Sequence, residues 1–233
     1  MQALAASRFI EGIMDNMDFL KETELIKNIL LLLGALFTVY KLDAWRKEHV
    51  IKRQVELAED TLALFYESVD AIKYIRFPIS YTNEMEHVIR EDDEPLGHYT
   101  ARRRASGVFF RYEKHQELFN KLHASRYRFM AQIGKNKAQP FIDLRNINNR
   151  ILNSARGLSV LWARNDFISD DENEKHLEKV IKHEHIIWDG FEDDIINKEL
   201  ERIIAAIEET CNAVISGKGT LYGILNAKPR SQE

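Results

Sequence analysis

Ile29-Leu-Leu-Leu-Leu-Gly-Ala-Leu-Phe-Thr-Val-Tyr40 is a run of twelve residues without a charge, and its apolar character reaches Leu25 on one side and Leu42 on the other. Lys27, Asn28 and Lys41 interrupt the wider window. A run of this length suits a buried core helix as well as a membrane span. Two features favour the membrane. The aliphatic residues surround the helix instead of forming one stripe, and the flanking lysines can snorkel to the interfaces. The stretch predicts a transmembrane helix over 25–42, with a buried helix of a soluble protein as the alternative.

The flanks give an orientation. Lys41, Arg46, Lys47, Lys52 and Arg53 follow the run, whereas Arg8, Lys21 and Lys27 precede it among Glu11, Asp15, Asp18, Glu22 and Glu24. The basic excess on the C-terminal side predicts a single-pass membrane protein, N-terminus outside and C-terminus cytoplasmic. With no basic region ahead of the run and no small-residue cleavage site after it, the segment reads as an uncleaved signal anchor. Over 1–24, Phe9, Ile10, Ile13, Met14, Met17 and Leu20 recur at helical spacing, which predicts an extracytoplasmic amphipathic helix on the bilayer surface.

Composition narrows the rest. The 233 residues carry 33 Lys+Arg against 37 Asp+Glu, a net charge of −4, which excludes a bulk nucleic-acid coater. At 45% hydrophobic the chain is too apolar to be disordered. Ten glycines and four prolines are few turn-formers for this length and favour long helices. Cys211 is the only cysteine, so neither an intrachain disulfide nor a multi-cysteine zinc site can form.

Between Gly34 and Pro78 there is no glycine or proline, so the membrane helix is expected to continue as a long juxtamembrane helix. Ile51, Val55, Ala58, Leu62, Phe65, Val69 and Ile72 form a seam at alternating spacings of four and three. That seam packs against helices of its own chain or pairs with copies of itself. Residues 78–100, with Pro78, Pro95, Gly97 and an acidic cluster at 91–94, read as a loop. Helices are then expected over about Thr100–Ile133, from Phe141 to Trp162, from Asp170 to near Gly190, and through Ile196–Val214. The fold class is therefore all-α. Residues 43–216 are expected to form a cytosolic antiparallel helical bundle, and 217–233 a polar tail.

Charge is segregated. Arg104, Arg111, Lys114, Lys121 and Arg128 fall on neighbouring heptad positions and predict one basic stripe, interleaved with Phe109, Phe110, Tyr127 and Phe129. Such a surface suits an anionic nucleotide or oligonucleotide. The plainer alternatives are neutralisation by the acidic segment from Asp166 to Glu201, or contact with acidic lipid headgroups. No catalytic residue, metal site or cofactor is expected. Glu84-Met-Glu-His87 supplies Glu-x-x-His only once, where a di-iron bundle needs two. Arg111 and His115 have three residues between them, one too few for the HEPN-type helical ribonucleases. Gly217-Lys-Gly-Thr220 lacks the earlier glycine and the strand of a phosphate-binding loop.

In the membrane segment, Gly34 and Thr38 lie four apart, a spacing that lets membrane helices approach. In a self-associated pore, Leu30 and Phe37 would form apolar constrictions, and Lys27 and Lys41 charged rings at the mouths. Otherwise Gly34 sits in lipid and the lysines snorkel. The order of elements, one anchor, a long juxtamembrane helix and a small cytosolic helical domain, resembles the membrane effectors of bacterial nucleotide-signalled antiviral systems of the Hailong type. The resemblance implies a homo-oligomer in a bacterial inner membrane whose membrane helices line an ion channel. It also implies a ligand made by a partner nucleotidyltransferase. The expected function is a ligand-controlled membrane effector. The alternatives are a membrane-tethered scaffold that recruits a protein partner and, less favoured, a HEPN-like nuclease.

Overall fold

The structure, a computed structural model, describes residues 2–79 and 81–217. It is all-helical, with no strand among the described residues. The side chains of the first 26 residues are outside the described part, and so is the chain beyond 217. The amphipathic face expected over 1–24 and the polar tail therefore lie outside the described residues.

Helix α1 spans Gln2–Ile75. It ends just before Phe77-Pro78, where proline disfavours helical backbone in the residue ahead of it. The chain divides into two units within this helix, residues 1–53 and 54–233. In the first unit every residue from Lys27 to Leu42 is exposed. One helix near the N-terminus is long and apolar enough to cross a membrane, a criterion that a signal sequence or a soluble core helix also meets. The Thr38 hydroxyl donates to the Gly34 carbonyl at 2.8 Å, an added Cβ at Gly34 would meet nothing within 4 Å, and Lys41 Nζ lies 5.4 Å from the Phe37 ring centroid.

The second unit comprises the end of α1 with α2 (Leu96–Lys114), α3 (Gln116–Gln132), α4 (Gln139–Leu161), α5 (Asp170–Ile187) and α6 (Ile195–Ile215). Helix α4 is its hub and packs against α2, α3, α5 and α6. Phe141 at the start of α4 meets Phe65 of α1 edge-on at 4.9 Å and Phe129 of α3 at 5.2 Å. The face that α1 buries is Ala58, Thr61, Phe65, Ser68, Ile72 and Ile75. Leu62 and Val69, expected on the seam, are only half-buried, and Ile51 is exposed. Thr61 and Ser68 are fully buried on this face, and neither hydroxyl has a hydrogen-bond partner.

Two expectations about the middle of the chain need correction. The 78–100 loop is shorter than expected, since α2 starts at Leu96 and Thr82–Glu84 forms a 3-10 turn within it. The single helix over 100–133 is broken at His115, whose φ of −107° and ψ of 6° leave the helical region. His115 turns its ring edge-on to Tyr74 at 5.6 Å, so a tertiary contact holds a break that no glycine or proline announces. The other ends follow local chemistry. Ser169 accepts from the Glu172 amide at 3.2 Å to cap α5, and Asp194 accepts from the Asn197 amide at 3.0 Å to cap α6. Gly190, at φ 102°, turns the chain between them.

Cys211 is buried within α6, and that burial pushes its thiol up to about 11. Because the thiolate is the reactive form, native protein at pH 8 should resist alkylation by iodoacetamide and react fully once unfolded in guanidinium. Stoichiometric labelling of folded protein within minutes would contradict the buried placement.

Candidate functional site

The five residues of the expected basic stripe do not share one open surface. Arg104, Arg111 and Lys114 lie on α2, whereas Lys121 and Arg128 lie beyond the His115 break on α3. Arg111 must be taken off the stripe altogether. It is 2% exposed, and its guanidinium grips both Glu84 oxygens, with Nε 2.8 Å from Oε1 and Nη2 2.6 Å from Oε2. Its remaining donors reach the carbonyls of Ile75, Phe77 and Ile79. Ile75 is the last residue of α1 and Phe77 and Ile79 follow it, so Arg111 closes the helix end and binds the chain that leaves it.

Arg104 stays half-exposed but is held. Its Cζ lies 4.1 Å from the Trp162 ring centroid and 4.9 Å from that of Trp188, and its Nη2 lies 3.9 Å from Glu184. Trp162 in turn donates its indole N–H to Glu184 at 2.9 Å and stacks on Trp188. This cluster joins α2 to α4 and α5 and matches the expected neutralisation by the acidic segment at this one residue. Lys114 sits 4.3 Å from the Phe110 ring centroid, and Lys121 pairs with Glu117 at 2.9 Å, one helical turn away. Arg128 is exposed with no ion pair among the described residues. The stripe thus resolves into one buried clamp, one aromatic cluster and three surface charges.

A second buried arginine does what Arg111 does, at the other side of the same chain turn. Arg76 is fully buried and donates to the carbonyls of His185, Ile186 and Trp188, which closes the C-terminal end of α5. It also bonds Asp194 at 2.7 Å and Asn197 at 3.2 Å, tying the α6 cap into the same network. No family model, curated protein or solved structure matches the chain. No group of three or more His, Cys, Asp or Glu that could hold a metal ion occurs among the described residues.

Composition and periodicity missed Arg76, Glu84 and Asp194, although one signal was present. Continuing the seam four residues past Ile72 lands on Arg76, an arginine where an apolar residue belongs. A cation on a core seam is retained in a fold only where acceptors surround it. The membrane candidates Lys27, Leu30, Gly34, Phe37 and Lys41 are all exposed within their unit, as either a pore-lining or a lipid-facing segment requires.

Proposed function

We propose that the chain is a single-pass membrane effector, without catalysis of its own, whose cytosolic helical bundle receives a ligand and whose α1 conveys the outcome to the membrane segment. The observation that supports this is the composition of α1. One helix supplies both the exposed apolar run Ile29–Leu42 and the core residues Ala58, Phe65 and Ile72. A soluble core helix would bury its apolar residues, and this run buries none of them. The proposal includes self-association through the Gly34 and Thr38 face, with Leu30 and Phe37 as the constriction and conduction of ions as the output.

Full-length protein in liposomes should pass ions, and Phe37→Ala should remove the constriction and leave cells that express it leaky. Gly34→Leu should abolish oligomers on crosslinking, and Lys41→Glu should shift ion selectivity. A C-terminal alkaline-phosphatase fusion should be inactive and a C-terminal fluorescent fusion bright. Protein that is monomeric in mild detergent and carries no current would leave the membrane-tethered scaffold, and protein recovered without detergent would end the membrane reading.

A further inference from the structure

Between α1 and α6 runs a groove of about 500 Å³. The two helices are antiparallel here, because Tyr66 donates to Glu208 at 2.6 Å while Arg76, further along α1, bonds Asn197 at 3.2 Å. Val69, Leu200 and Ile204 give the groove its apolar lining, and Tyr66 stands 45% exposed beside them. Its charged groups are Asp70, Glu201 and Glu208 against Lys73 alone. Asp70 and Glu201 are exposed, and neither has an ion pair among the described residues. The cleft between α6 and α4 differs. There Asp143 and Glu199 are balanced by Arg150 and Arg202, and Arg150 already pairs with Glu199. An apolar groove edged by unpaired carboxylates suits a segment that carries apolar side chains together with cations.

The chain itself carries such a segment. Beyond Gly217 the sequence reads Lys218-Gly-Thr-Leu221-Tyr222-Gly-Ile224-Leu225, with Lys228 and Arg230 after it, so the first half of the expected polar tail is apolar. These residues lie outside the described part, and their sequence and reach are what count. Gly217, the last described residue, has φ 63°, the left-handed conformation in which a chain turns away from the axis of the helix it leaves. At 1.5 Å per residue, Glu208 lies about 14 Å and Asn197 about 30 Å back along α6 from Gly217. Residues 218–225 span at most about 26–29 Å when extended, which brings Leu221 to Leu225 alongside the apolar lining. Lys228 and Arg230 then have chain to spare to meet Asp70 and Glu201. A tethered segment also outcompetes a free partner of equal affinity, since a short linker holds it at an effective concentration of about millimolar.

We infer that residues 218–230 fold back along α6 and occupy the α1–α6 groove, with Leu221, Tyr222, Ile224 and Leu225 on its apolar lining and Lys228 and Arg230 on Asp70 and Glu201. So placed, the segment fastens α6 to the helix that bears the apolar run, and its docking does not depend on the membrane reading. Engineered cysteine pairs test it in the full chain in mild detergent, because the one native cysteine, Cys211, is buried. Ala205→Cys, at an exposed position in the groove, is combined in turn with Leu221→Cys, Tyr222→Cys and Ile224→Cys and oxidised. At least one pair should form a disulfide within a single chain, and faster than Glu178→Cys with Ile224→Cys, the control on an exposed position of α5. Asp70→Lys with Glu201→Lys should slow that crosslink by about threefold or more, as should Lys228→Glu with Arg230→Glu. The four reversals together should restore it. Ala205, Asp70 and Glu201 are exposed, so each variant should keep the wild-type melt. A crosslink no faster than the control, or one indifferent to both charge reversals, would overturn the assignment. So would a crosslink formed only between chains, which would give the groove to the same segment of a second copy.

Discussion

Arg76→Ala lowers the stability of the folded protein by about 3–5 kcal/mol, the range for breaking a buried ion pair from one side. The variant strands the Asp194 carboxylate, itself 6% exposed, and uncaps the carbonyls of His185, Ile186 and Trp188. Lysine does not repair it, because a single ammonium cannot reach acceptors arranged around a planar fork. For a unit of this size the loss corresponds to a fall in Tm of roughly 6–20 °C, read by thermal melting of the full chain in detergent. An unshifted melt would mean that water replaces the guanidinium at little cost and that the network does not hold α5 and α6 together.

Arg111→Ala should cost a similar ~3–5 kcal/mol, and here the effect carries a pH signature. The hydrogen bonds from Arg111 hold the Glu84 carboxyl below its ordinary 4.5, against the opposing effect of burial. A carboxyl lowered in the folded state contributes stability that is complete above its unfolded value, near ~4.3, and is lost as pH falls through the folded value. Wild-type protein should therefore lose stability in acid over that interval. Glu84→Gln should flatten that part of the pH curve while being less stable at pH 7. An acid limb of the same slope in Glu84→Gln would assign the loss to other carboxylates. The same variants settle the role of the former stripe residue. Arg111→Ala should show a lowered Tm before any change in ligand affinity, whereas Arg104→Ala and Lys114→Ala, at half-exposed or exposed positions, should melt closer to wild type.

The all-helical fold was legible in the sequence because its punctuation is local. The empty interval from Gly34 to Pro78 foretells that α1 runs unbroken to Ile75, Pro140 sits in the first turn of α4, and the acids from Asp170 open α5. What could not be read is set by contacts distant in sequence. His115 breaks a helix through its packing on Tyr74, and Thr61 and Ser68 are central in space although polar in type. Arg111 looked like a surface charge because nothing near it in the chain shows that Glu84 and three backbone carbonyls converge on it. The α1–α6 groove was equally invisible. Its two walls meet at Tyr66 and Glu208, 142 positions apart in the chain.

The partners of Arg76 also set a timetable for synthesis. Asp194 follows it by 118 residues, and His185 by 109. At about 5–20 residues per second, Arg76 is added to the chain roughly 6–24 s before Asp194. During that interval the apolar face from Leu57 to Ile75 gains the helices before α5 as cover, while α6 is still missing. A chain truncated before Asp194 leaves Arg76 in the core without the carboxylate it meets at 2.7 Å, an incomplete product open to proteolysis.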